Sequence, residues 1–160
     1  MDMFLRIDGI PGESTRKGHE RWIPVESAGW GVSQVVAAHH GGGAGAARGR
    51  AEFRPAVFTA WTSVATPLLF EACASGRHAA TATFEAVRSG ESPAVLVRWD
   101  FEDVLITSLD MAGSDGSPTM NDSFSLDYER VRVTTFEQDP KGGVGSATAR
   151  GWDLTAHRPW

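Results

Sequence analysis

The stretch Val95-Leu96-Val97-Arg98-Trp99-Asp100-Phe101-Glu102-Asp103-Val104-Leu105-Ile106 decides the fold class. From residue 97 to residue 102 apolar and charged residues alternate, which is typical of a strand with one buried face. The alternation changes phase at Glu102-Asp103, after which Val104 and Ile106 continue the apolar side. A phase change inside one strand predicts a bulge or a bend. A long bent strand lets a sheet turn a corner, so this stretch favours a small barrel or a folded-over sheet.

A second stretch has the same character. Phe124, Leu126 and Tyr128 alternate with polar residues, and Val131 and Val133 continue in the opposite phase. This pattern predicts a second long, bent strand. The other apolar runs are short and are separated by many of the 18 glycines and 8 prolines. The sequence therefore predicts a mainly β fold: a small antiparallel β-barrel of two bent sheets with one α-helix.

The helix is predicted near the end of the first half of the chain. Thr66 is a suitable N-cap, Pro67 suits the first helical position, and the run to Ser75 propagates a helix. Gly76 is expected to end it in the left-handed conformation. Further strands are predicted at Met3–Ile7, Ala51–Thr62 and Val144–Leu154, and Trp22–Val36 is predicted to be an extended stretch that is broken by Gly29 and Gly31.

The chain has 160 residues, which predicts one domain over residues 1–160. Within it, residues 37–50 are rich in glycine and alanine and have almost nothing to bury. They predict an extended loop, and loops of this length are often functional. The loop between Asp110 and Asp122 is predicted to be polar.

Composition excludes several classes of protein. The net charge of −5 argues against nucleic-acid binding, which needs a basic surface. No stretch approaches the ~20 apolar residues that span a bilayer, so no membrane insertion is expected. The opening residues 1–6 have no basic region followed by an apolar run, so they do not form a Sec-type signal. Cys73 is the single cysteine and leaves no internal disulfide. We expect a protein that is made in the cytoplasm.

Motifs for catalysis, metals and cofactors are absent from the sequence. There is no G-x-S-x-G, and the glycine-rich segment lacks the G-K-[ST] ending of a phosphate loop. His39-His40 has no third ligand at a suitable spacing. Glu102 and Asp103 point to opposite sides of a strand and would not share a proton. We therefore predict a protein that is not an enzyme and has no cofactor or metal. The strand tryptophans are expected to pack in the core.

The opening Met3–Ser14 resembles that of the Hcp family, the tube proteins of type VI secretion systems. Further matches follow in order along nearly the whole chain. They are Trp30-Gly31-Val32-Ser33-Gln34, the helix and turn Pro67–His78, Phe101–Ser108, Phe124-Ser125-Leu126-Asp127-Tyr128 and Gly151-Trp152-Asp153.

The resemblance implies a barrel with a side helix that assembles into a six-membered ring with a wide lumen. It also implies that rings stack into a tube, which a contractile sheath drives outward behind a spike, and that effector proteins are carried inside. The partners would then be further copies of the chain, the sheath, the spike and effectors. Export would follow this route rather than a Sec-type signal.

Charge suggests how rings could stack. Residues 37–50 carry basic groups and no acid, whereas residues 110–122 carry acids and no base. We hypothesise that these two segments are the stacking faces, steered by opposite charge. The residues are His39, His40, Arg48 and Arg50 on one face, and Asp110, Asp115 and Asp122 on the other. Two alternatives remain open: a tail-tube-like protein of another phage-derived particle, and a monomeric β-barrel binding protein with tryptophans around a cavity.

Overall fold

The computed structural model describes residues 1–36, 48–90, 93–138 and 144–160, of which strands make up the largest part. Ten strands form one antiparallel sheet, and β4 and β5 form a separate hairpin. The elements in chain order are β1 (Asp2–Ile7), β2 (Ile23–Val25), β3 (Ser27–Gly29), β4 (Val32–Val36), β5 (Arg48–Phe53), β6 (Ala56–Trp61), α1 (Thr66–Ser75), β7 (His78–Arg88), β8 (Ala94–Ala112), β9 (Asn121–Asp127), β10 (Arg130–Gln138), β11 (Val144–Asp153) and β12 (Arg158–Pro159). The predicted mainly β fold with one helix is confirmed.

Strand β8 organises the sheet. It is 19 residues long, and it pairs with β10 through its first half and with β9 through its second half, while β7 runs along its other edge. The predicted phase change is confirmed, because Phe101 and Val104 are both buried. Asp103 between them has a φ of 52°, a left-handed conformation that is uncommon outside glycine.

Two expectations about long strands are wrong in detail. The stretch from Phe124 to Val133 is two strands, because the chain turns at Tyr128-Glu129, where β8 exchanges one partner for the other. The stretch Ala51–Thr62 is also two strands, β5 and β6, separated at Arg54-Pro55.

The sheet folds over its core without closing into a complete barrel. Its longest path runs β12-β11-β10-β8-β7-β1-β2, and a branch of β9, β6 and β3 leaves β8. Strands β2 and β3 are separated only by Glu26, and they pair with β1 and β6 respectively. The two arms of the sheet therefore meet at this point of the chain and enclose the core between them.

Helix α1 has the predicted ends, except for its cap. Pro67 lies in the first turn, and Gly76 ends the helix with a φ of 66°. The N-cap is Ala65, which makes no side-chain cap hydrogen bond. Thr66 is inside the helix, where its hydroxyl oxygen accepts a hydrogen bond from the backbone N–H of Ser63 at 3.0 Å. The prediction of Thr66 as the cap is therefore wrong by one residue.

The core is dominated by phenylalanine and aliphatic side chains. Its largest fully buried members are Phe58, Phe101, Phe124, Leu5, Ile23, Leu69, Leu126 and Val104. The expectation that the tryptophans pack in the core is confirmed for Trp30 and Trp99, which lie against this cluster. It is wrong for Trp61, which is 46% exposed, because it points outward from β6.

Candidate assembly surfaces

The predicted basic face is described only in part. His39 and His40 lie outside the described residues, and of Arg48 the structure describes the backbone, at the start of β5. Residues 48–50 are strand, so the predicted loop over 37–50 ends earlier than expected. Arg50 is exposed on β5, and its Nε donates a hydrogen bond to Nδ1 of His157 at 3.3 Å.

Two of the three residues predicted for the acidic face are exposed, and the third is buried. Asp110 is exposed near the end of β8, and Asp115 is exposed in the loop that follows. Asp122 is only 2% exposed, and it accepts hydrogen bonds from the hydroxyl groups of Thr62, at 2.7 Å, and Thr66. The prediction that Asp122 belongs to a charged surface is wrong, because this carboxylate fastens β9 to the start of α1. The loop itself is also shorter than predicted, since β8 extends to Ala112 and β9 begins at Asn121.

Basic residues are missing from one part of the molecule. Residues 55–76 and 104–127, which form β6, α1, the second half of β8 and β9, contain no lysine, arginine or histidine. Their exposed charges, Glu71, Asp110, Asp115 and Asp127, are all acidic. This acidic surface can be recognised in the sequence once it is known that β6, β8 and β9 are neighbours in the sheet.

An apolar groove lies between the β4–β5 hairpin and the face of β10 and β11. Its volume is about 830 Å³, and its apolar walls include Trp30, Val32, Phe53, Val131 and Trp152. The charged groups that line it are Arg50 and Arg150, with His157 beside them. A single copy of the chain therefore leaves a partly exposed apolar surface with a basic rim, which is the kind of surface that partners cover.

The root of the β4–β5 hairpin is fixed by a hydrogen-bond network. Trp30 Nε1 donates to the hydroxyl oxygen of Tyr128, and that hydroxyl donates to the carbonyl oxygen of Arg54 at 2.9 Å. The backbone N–H of Arg54 donates to the carbonyl oxygen of Gly31 at 3.0 Å. Burial raises the pKa of Tyr128 to about 12, so its hydroxyl stays protonated and able to donate even in alkaline solution.

Comparison with known proteins identifies the family. The family model described as "Type VI secretion system effector, Hcp" matches residues 4–135. The chain belongs to the Hcp family. It is 31% identical over 156 residues to the protein Hcp1 of Pseudomonas aeruginosa, and the match covers 96% of this chain and 95% of that one.

Solved structures of Hcp proteins have the same fold. Hcp1 from Salmonella typhimurium is 28% identical and superposes with a TM-score of 0.79, over 99% of this chain and 98% of the other. A type VI secretion effector from Yersinia pestis is 26% identical, with a TM-score of 0.77 over 95% and 99% of the two chains. A further type six secretion system protein, 24% identical, shares the fold with a TM-score of 0.94 over 99% of both chains.

The two carboxylates that the sequence analysis considered for catalysis are each paired with a basic side chain in this Hcp chain. No cluster of three or more metal-ligating side chains occurs within the described ranges. Glu102 and Asp103 have separate partners: Arg130 Nη1 donates to Glu102 at 2.9 Å, and His78 Nδ1 lies 2.7 Å from Asp103. The hydrogen bond from His78 lowers the pKa of Asp103. No described helix is long and apolar enough to cross a membrane.

A cluster of ionisable side chains around the buried Glu85 of the Hcp fold was not found by sequence analysis. His19 Nε2 lies 2.6 Å from Glu85 Oε2, and Arg98 Nε donates to Glu85 Oε1, also at 2.6 Å. The His19 ring stacks on Phe4 with 4.5 Å between ring centroids. These contacts hold the segment after β1 against β7. His19 and Glu85 are 66 residues apart in the sequence, so their pairing leaves no local signal.

Proposed function

We propose that this Hcp chain is the structural tube subunit of a type VI secretion apparatus, and that six copies close into a ring. The observation that carries the proposal is the family match, which extends over most of the chain and agrees with the fold of the Hcp structures. Identical subunits close into a ring through head-to-tail contacts, which need two unlike surfaces on each copy.

Stacking of rings into a hollow tube is the second part of the proposal. Arg50, with its sequence neighbours Arg48, His39 and His40, would face the acidic side chains of the next ring. Asp110 and Asp115 are the acidic partners, and Asp122 is left out because it is buried. One exposed ion pair contributes only about 0–1 kcal/mol, but six-fold repetition around a ring multiplies the effect.

The ring is tested by the mass of the purified protein. Six copies of the 17.2 kDa chain give about 103 kDa, which light scattering after gel filtration measures directly. Negative-stain images should show annular particles. Solitary particles with the mass of one chain at micromolar concentration would overturn the proposed function.

Charge reversal at Arg50 is expected to weaken stacking without breaking rings. Arg50→Glu places like charges opposite Asp110 and Asp115, so we expect fewer and shorter tubes, counted in electron micrographs at low salt. Asp110→Arg combined with Asp115→Arg should restore tubes in the Arg50→Glu chain. Lys17→Glu is the matched control, because it makes the same charge change on an exposed loop outside both faces. Tubes of unchanged number and length in Arg50→Glu would refute this charge pairing.

A tube subunit would have three further kinds of partner: the sheath, the spike and effector proteins. We propose that the chain leaves the cytoplasm as part of the expelled tube and has no catalytic role of its own. Family membership supports this route, since Hcp proteins belong to type VI secretion. A monomeric binding protein is the second candidate, favoured by the groove that Trp30 and Trp152 line. The mass measurement separates the two candidates.

A further inference from the structure

The dipeptide Asp-Gly occurs twice in this chain, as Asp8-Gly9 and as Asp115-Gly116. In this dipeptide the backbone nitrogen of the glycine can attack the side-chain carboxyl carbon of the aspartate, because glycine has no side chain to block the approach. A five-membered succinimide ring forms, and its reopening by water can leave isoaspartate in the main chain. The structure shows how differently the fold holds the two dipeptides.

Asp115 and Gly116 form the tip of the turn between β8 and β9. The backbone N–H of Ser117 donates to the carbonyl oxygen of Ser114 at 3.1 Å, and Gly116 has a φ of 85°, which glycine adopts without strain. Every residue from 111 to 120 is exposed. Apart from its chain neighbours, no described residue has an atom within 4 Å of the place where a Cβ on Gly116 would lie. Water therefore reaches this amide freely.

The two reacting groups at this turn are not held by other contacts. In the part of the chain that the structure describes, the Asp115 carboxylate has no hydrogen bond or ion pair, and the N–H of Gly116 donates no hydrogen bond. Asp122, in the next strand, differs because it is buried and accepts hydrogen bonds from Thr62 and Thr66. The Asp115 side chain can therefore turn toward the nitrogen of the next residue at no cost in broken contacts.

The turn at Asp8-Gly9 has a similar backbone but a different setting. Gly9 has a φ of 77°, and the N–H of Ile10 donates to the carbonyl oxygen of Ile7 at 3.0 Å. Ile7 and Ile10 are only 2% and 3% exposed, and the N–H of Asp8 donates to Thr81 of β7 at 3.0 Å. Ring closure needs the aspartate backbone to rotate, which here would disturb buried side chains and the contact to β7. A turn held in this way opens less often than an exposed loop.

We propose that Asp115 is a site of spontaneous isomerisation to isoaspartate, and that the fold directs the reaction to Asp115 rather than to Asp8. The Gly116 nitrogen forms a bond to Cγ of Asp115, and the hydroxyl of the carboxyl group leaves as water with the N–H proton. Water then breaks the bond between this nitrogen and the main-chain carbonyl carbon, so that the chain continues through Cγ. One water leaves and one enters, so the mass is unchanged and no oxidant or cofactor is required.

Isomerisation would change the stacking face of the ring. Isoaspartate adds one carbon to the main chain of a four-residue turn, and its carboxylate is attached directly to Cα, so the negative charge moves. This consequence rests on the proposed function, in which Asp115 faces Arg50 of the next ring. We expect aged rings to stack less well than fresh rings, because charge pairing depends on the position of both groups.

The test keeps the full chain in neutral buffer for several weeks and measures isoaspartate in its tryptic peptides. Trypsin separates the two sites, because Asp8 lies in peptide 7–16 and Asp115 in peptide 99–130. An isoaspartyl methyltransferase with labelled S-adenosylmethionine marks the isoaspartate, and we expect several-fold more label in peptide 99–130. Deamidation of Asn121 in the same peptide raises its mass, whereas isomerisation does not, so mass spectrometry separates the two reactions.

Asp115→Glu is the matched variant, because glutamate keeps the negative charge but would have to form a six-membered ring. It should remove the label from peptide 99–130, whereas Asp8→Glu should leave that label unchanged. In urea the fold protects neither dipeptide, so the two peptides of the wild-type chain should take up similar amounts of label. Equal labelling of the two peptides in the folded chain, or no label at Asp115, would overturn the proposal.

Tube counts in electron micrographs test the effect on stacking and keep it separate from the proposed function. Aged wild-type chain should give fewer and shorter tubes than fresh chain, whereas aged and fresh Asp115→Glu should give equal numbers. If fresh wild-type chain forms no rings or tubes, the proposed function fails, and the peptide measurement still decides the modification. If aged chain contains isoaspartate at position 115 and its tubes are unchanged, the expected effect on stacking is wrong.

Discussion

Replacing Gly12 with alanine is expected to lower the free energy of unfolding by about 3 kcal/mol or more, or to prevent folding. An added Cβ would lie 2.6 Å from both the Cα and the N of Ile23, and it would also contact the carbonyl oxygen of Trp22. All three are backbone atoms, so no side-chain rotation relieves the overlap. The segment is held there by the hydrogen bond from the Gly12 N–H to the carbonyl oxygen of Arg21, at 2.7 Å.

Gly31→Ala is the matched control for this substitution. Its added Cβ would meet the guanidinium end of Arg54, and that exposed side chain can turn away, so we expect a loss below about 1 kcal/mol. Urea unfolding followed by tryptophan fluorescence measures both variants. Equal losses for Gly12→Ala and Gly31→Ala would show that the close approach to β2 is not what requires glycine at position 12.

Features of the fold that depend on neighbouring residues could be predicted from the sequence. The phase change at Glu102-Asp103 predicted the bend in β8, and Gly76 predicted the end of α1. The requirement for glycine at position 12 could not be predicted in this way. It arises because Trp22 and Ile23, about ten residues further along the chain, pack against the backbone of Gly12.

Features that depend on distant residues were mispredicted. Asp122 was predicted to be a surface charge because its sequence neighbours are polar. In the structure it is buried, because Thr62 and Thr66, from another part of the chain, donate hydrogen bonds to it. Trp61 was predicted to be a core residue because it is large and apolar. Phe58 and Ala60 occupy the buried face of β6, and Trp61 lies on its exposed face. A sequence gives the period of a strand more securely than it gives the face that is buried.

The candidate assembly surfaces could also be predicted only in part from the sequence. The basic and acidic segments are visible as runs of like charge, and Arg50, Asp110 and Asp115 lie at the surface as expected. The groove is not visible in this way. It exists because the β4–β5 hairpin lies opposite the face of β10 and β11.

The second large effect is expected in the aromatic core. Phe58→Ala should lower the free energy of unfolding by about 3–5 kcal/mol, the usual range for a phenylalanine lost from a packed core. Phe58 is 1% exposed, and its ring centroid lies 5.7 Å from those of Phe84 and Phe124. These rings come from β6, β7 and β9, so the side chain joins both arms of the folded sheet, and its loss leaves a cavity between them.

Val57→Ala provides the comparison on the same strand, because Val57 is the preceding residue and is 50% exposed on the other face. Its loss should change the free energy of unfolding by no more than about 0.5 kcal/mol. Both variants must be unfolded at the same protein concentration, because assembly adds stability by mass action. If Val57→Ala costs as much as Phe58→Ala, the outer face of β6 is covered by another copy, and the acidic surface on which it lies is part of the ring contact. If only Phe58→Ala is costly and rings persist in Val57→Ala, the core explanation holds and this part of β6 lies outside the contact.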